Sequence, residues 1–227
     1  MADRVPTWLD EIVREHPAFR FSGEIESHPD LAERIYRLLE SGAVSDCLAA
    51  AAGTDLAKFA GWAIGRLWPV PSLTTVDLYR AYLVEADLSL AWIDYSSLIG
   101  ATLSGADLCG ARVHHSNLYG AAMRGCECYG VDLSHTNLRD VDLTGSWLCG
   151  ARLAHADLRG AVMDQTDFRG ADFRGASIDG AKFFHANLHG ADFWSAVGTA
   201  TFRGCQNDAR PNSPSRTRRS SVVAHRD

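Results

Sequence analysis

Apolar residues recur at every fifth position from Leu73 to Phe193 without a break, giving 25 central positions. All but Cys128 are Leu, Ile, Val, Met or Phe. A spacing of five matches neither the helical period of 3.6 nor the strand period of 2, so no single regular element explains it. Two residues before the centre stands a small or β-branched residue, Ala in 15 units, and two residues after it Gly occurs 13 times. A regularity of this length is a structural repeat.

In an extended segment, the central residue and the small one two places before it point the same way. The residues between them face outward, and Gly at the fifth place permits a corner. Flat side and bend, repeated, make a coil that buries its interior only when stacked on other coils. Outward residues set the coil length. Tyr95, His115, His135 and His155 recur at intervals of twenty, as do Arg112, Asp132, Arg152 and Asp172, and Asn117, Asn137 and Asp157. A coil of fifteen would scatter these sets, whereas twenty stacks them at about 4.7–4.9 Å. Four units per coil then place Leu78, Leu98, Leu118, Leu138, Leu158 and Ile178 in one inward ladder. The alternating Arg and Asp are predicted to form a surface ladder worth roughly 0.2–1 kcal/mol per pair.

Units such as Ala106-Asp107-Leu108-Cys109-Gly110, Ala156-Asp157-Leu158-Arg159-Gly160 and Ala171-Asp172-Phe173-Arg174-Gly175 resemble the A-(D/N)-(L/F)-x-x signature of the pentapeptide repeat family. The resemblance implies a mainly β fold, a right-handed quadrilateral parallel β-helix. At strand spacing its about six coils would make a rod of about 30 Å.

Both ends depart from the repeat. Residues 1–70 read as a small α-helical region, either a cap on the first coil or an interaction domain. Thr7 caps a helix carrying Trp8, Leu9, Ile12 and Val13. A second begins at Pro29-Asp30, with Leu31, Ile35, Leu38 and Leu39 on one face, and a short alanine-rich helix lies near 45–52. Leu56, Phe59, Ala60, Ala63, Ile64 and Leu67 follow a further helical stripe before Trp68–Pro71 ends helicity. The repeat domain spans 71–205, and a one-residue slip centres its last unit on Phe202. Residues 206–227 read as a disordered basic tail.

Composition narrows the function. Net charge is -6 at pH 7, with 15 acidic and 10 basic residues in 71–205, which argues against direct nucleic-acid binding by the folded part. No run approaches eighteen apolar residues and no secretory leader is evident, so a cytoplasmic, membrane-free protein with reduced cysteines is expected. No triad order or phosphate loop stands out, and a filled rod offers no cleft, so no enzyme and no cofactor are expected. Three histidines in a straight column do not reach one ion, so the column reads as a stacking ladder rather than a metal site. Cys126 and Cys128 read as core filling.

The leading expectation is a protein-binding scaffold of unidentified partner, monomeric or homodimeric. Outward Tyr79, Tyr119, Trp92 and Trp147, with Asp107 and Asp157, are its candidate contacts. The family resemblance adds an alternative, a DNA mimic that binds DNA gyrase, a topoisomerase, and protects it from inhibitors. A secreted effector is a third reading that no residue favours.

Overall fold

The computed structural model describes Arg14 and residues 22–41, 43–51, 56, 59–61, 63, 73–206 and 222–225. The helix expected around Trp8, the Trp68–Pro71 break and most of 206–227 lie outside the described residues. Among the described residues, three helices are delimited before the repeats: α1 (Ser22–Ser27), α2 (Pro29–Glu40) and α3 (Val44–Ala51). Pro29 opens α2, where its missing N–H costs nothing, and Asp30 meets the positive end of the helix dipole. Ala32 and Ile35 are buried on one side of it. The six residues of α1 are too few for a periodic signal, and the sequence does not announce them. No described helix is long and apolar enough to cross a membrane.

The helical segment and the repeats share one apolar core, in which Ile25, Ile35, Leu56 and Phe59 join Leu73 and Leu78. Gly61 marks the closest approach: a Cβ there would overlap the carbonyl oxygen of Tyr82.

From Asp77–Ser97 to Ser177–Val197, every isolated bridge joins a residue to the one twenty further on, and all are parallel. The repeats therefore form a parallel β-helix with four sides per coil. At most corners the central carbonyl accepts the N–H three residues on, as Leu103 does from Ala106 at 2.8 Å. The third residue of such a turn needs positive φ, which Gly105 supplies at 70°. Twelve corners hold the same conformation with a residue other than glycine.

Leu78, Leu98, Leu118, Leu138, Leu158 and Ile178 lie in the core, each no more than 1% exposed. Buried hydroxyls are all used. Ser116 Oγ donates to the Ile93 carbonyl at 2.6 Å and accepts from the Ser96 N–H at 3.0 Å. At the opposite corner Cys126, Ser146 and Thr166 donate to the carbonyls of Leu103, Met123 and Leu143. These side chains staple one coil to the coil before it.

The slip at the carboxyl end is a four-residue side. Strands β1 (Lys182–Phe184) and β2 (Gly198–Arg203) pair in parallel with Phe183 opposite Phe202, nineteen apart, and their rings stack at 4.7 Å. Gly198 takes the central place of the short side at φ 111°, where a Cβ would lie 2.6 Å from the Asp179 amide nitrogen.

The sequence reads 206–227 as a disordered tail, but its described residues Val222–His225 form a strand. Strand β3 (Val222–His225) lies parallel to β2, with Val222 opposite Gly198. The edge of β2 away from β1 offers backbone groups for pairing, and the β-branched Val222 and Val223 suit a strand.

Candidate functional site

Where Asp or Asn precedes the centre, its side chain is held by its own unit. Oδ1 of Asp77, Asp107, Asn117, Asp157 and Asp192 accepts the N–H two residues on, at 2.8 Å for Asp107 and Cys109. This is the Asx turn that Asp and Asn favour, so the recurrent outward Asp serves the coil itself. Arg159, Arg169 and Arg174 pair with Asp157, Asp167 and Asp172 in the same units. Hydrogen bonds from Arg159 and Arg174 hold the Asp157 and Asp172 carboxyls below the usual carboxylate range, against the opposing effect of partial burial.

The face centred on Val113 carries the densest chemistry. Tyr95, His115, His135 and His155 stack with centroids 5.2, 4.9 and 4.9 Å apart. All four keep φ between 56° and 59°. His114 meets His115 edge-on at 4.1 Å and His135 at 5.5 Å. Desolvation, and then the neighbouring charges of His115, His155 and His114, lower the pKa of His135, with Asp132 opposing.

Arg112, Asp132, Arg152 and Asp172 stack in register, coil upon coil. Their ion pairs do not simply follow the stack. Arg152 reaches Asp132 at 3.6 Å, but Arg112 turns to the buried Asp94, and Asp172 binds Arg174 at 2.7 Å. A buried carboxylate needs its partner more than an exposed ladder does, and Asp94 also accepts the His114 N–H. The Arg112 guanidinium lies 5.6 Å from the Trp92 ring centroid.

The other aromatic candidates are not brought together. Tyr79 and Tyr119 project from the Leu118 face, Trp92 from the Val113 face and Trp147 from the Leu108 face, where it meets Tyr129 at 6.0 Å. Asp157 lies on the Leu118 face. Asp107 lies on the Leu108 face with Cys109 and Glu127, their ligand atoms all within 4.8 Å of one another. Burial and a hydrogen bond to Asp107 push the Cys109 thiol up to about 11, which disfavours a thiolate there. The buried Asp94 and the hydroxyl staples carry no signal in the periodicity, because they occupy positions where other units hold a different residue type.

Comparison with known proteins agrees with the coil. The family model for pentapeptide repeats matches in eight copies within residues 72–194. No curated protein matches significantly. HetL of the cyanobacterium Nostoc sp. strain PCC 7120, a pentapeptide repeat protein involved in heterocyst differentiation regulation, is 25% identical with a TM-score of 0.48, over 62% of this chain and 79% of its own. A pentapeptide repeat protein of the Arabidopsis thaliana thylakoid lumen is 29% identical with a TM-score of 0.36, over 41% and 61%. QnrB1, a plasmid-mediated fluoroquinolone resistance protein, is 14% identical with a TM-score of 0.26, over 66% and 80%. Its unbroken units, twenty-residue coil and family match together show that the chain belongs to the pentapeptide repeat family and is built on that family's right-handed β-helix.

Proposed function

We propose that this protein is a non-catalytic binding module that presents outward side-chain columns to a protein partner. The observation that carries this reading is the filled interior: ladders such as Leu78 to Ile178 occupy the coil and leave recognition to its faces. Exposed Tyr79 and Tyr119 on one face, and Trp147 on another, are the proposed contacts. The rod comprises about six coils at strand spacing. Residues 1–70 act as its cap, supported by the shared core and the contact at Gly61. Six unpaired cysteines fit a cytoplasmic setting.

The second reading, a DNA mimic directed at DNA gyrase, draws on the outward Asp positions. Arginines pair with Asp157, Asp167 and Asp172, and the Asx turns account for the recurrence of Asp, so this reading ranks below the first.

Full-length protein, its Tyr79→Ala/Tyr119→Ala variant and its Trp147→Ala variant would serve as parallel baits in cell lysate. A partner lost with one face and kept with the other supports the module. Partners indifferent to both sets overturn the assigned contacts. Inhibition of gyrase supercoiling by the purified chain at near-equimolar ratio would instead put the mimic first.

A further inference from the structure

The four imidazoles of the Val113 face do not lie in one line. His115, His135 and His155 form a column, and a straight column cannot bring three nitrogens to one point. His114 stands beside it, with ring centroids 4.1 Å from His115 and 5.5 Å from His135, while His115 and His135 are 4.9 Å apart. These three rings close a triangle, and His155 stacks on His135 outside it. Zinc holds imidazole nitrogens at about 2.0–2.1 Å in a tetrahedral array, which sets the centroids of three such rings about 5 Å apart. The sides of the triangle bracket that value.

The backbone beneath is fixed: His115 N–H donates to Ser134 and His135 N–H to Ala154. The rings of His115 and His135 are exposed and His114 is half-buried; His115 and His135 stack only 26° from parallel, so binding one ion requires rotation about the side-chain dihedrals to turn their nitrogens towards a common point. His115 and His135 occupy equivalent corners of successive coils, at φ 56° and 58°. The nearby cations are compensated, Arg112 by Asp94 and Arg152 by Asp132.

We propose that His114, His115 and His135 bind one divalent transition ion of the zinc class through three imidazole nitrogens. The fourth coordination position faces solvent and is open to water or to a ligand from a partner.

The test is zinc titration of the metal-free, untagged full chain at pH 7.5 by calorimetry, in a Cys109→Ser background that removes the thiol of the Asp107–Cys109–Glu127 group. One ion per chain is expected. His114→Gln should weaken binding at least tenfold, whereas His155→Gln should change it by less than twofold, with unchanged melting curves. X-ray absorption of the zinc-loaded chain should show three imidazoles. If His114→Gln disturbs the melting curve, His135→Asn gives the same discrimination, since Asn accepts the positive-φ corner. Absence of zinc binding, insensitivity to the triangle variants, or equal losses with His155→Gln and His114→Gln each overturn the site.

Discussion

The imidazole of His155 lies over Gly175: a Cβ on that glycine would come within 2.6 Å of His155 Cε1 and Nδ1. Corner side chains lean towards the following coil, as Asp140 does over Gly160 and His185 over Gly204. Gly175→Ala and Gly130→Ala should share a left-handed backbone cost of about 1–2 kcal/mol. A Cβ at Gly130 meets nothing within 4 Å, so Gly175→Ala should be the more destabilising of the two. Equal midpoints in urea would show that the ring does not rest there.

Leu118 is 1% exposed in the middle of its ladder. Leu118→Ala should cost about 2–5 kcal/mol by leaving a cavity, and Leu118→Asp should cost more by placing a charge in the core. Circular dichroism and a melting curve are sufficient. An unchanged transition for the Asp variant would refute the inward position.

Ser146 Oγ donates to the Met123 carbonyl and accepts the Cys126 N–H. Ser146→Ala orphans both buried groups and should destabilise by about 1–3 kcal/mol. Ser146→Cys should lose less, because Cys126 already bonds Leu103 in the same way one coil earlier. The order Ala worse than Cys, read from urea midpoints, is the check.

Asp157 and Asp172 have carboxyl pKa values lowered by hydrogen bonds from Arg159 and Arg174, and partial burial offsets only part of that effect. A depressed folded pKa stabilises the protein above the unfolded carboxyl value, about pH 4, and that contribution is lost as pH falls through the folded value. Stability should therefore drop on acidification below about pH 4, and the drop should shrink in an Arg159→Ala/Arg174→Ala variant. Acid titration of both proteins by circular dichroism gives the comparison. Identical profiles would assign acid sensitivity elsewhere.

The coil was legible in the sequence because its period belongs to no helix or strand, and because columns such as His115–His135–His155 fix the number of sides. The one-residue slip at Phe202 was legible for the same reason. The ion pairs were not. Spacing by twenty puts Arg112 against Asp132, but only the structure shows that Asp94 is buried and draws Arg112 away. His114 likewise reads as one more outward residue until its ring is placed against His115 and His135. Strand β3 escaped because its four residues sit in a basic, polar tail and gain a partner only from the unpaired edge of β2.

The twenty-residue coil also restricts how such a chain can change length. Inserting or deleting a single unit within 73–193 would turn everything beyond it by a quarter revolution and break up every column, including the histidine triangle. A change of twenty residues would merely lengthen or shorten the rod by one storey and leave each face intact. Its surface is thus inherited in storeys, and the four-residue side at Gly198 shortens one storey by a single residue without breaking the stack, since Phe202 still lies over Phe183 and Gln206 still pairs with Asn187.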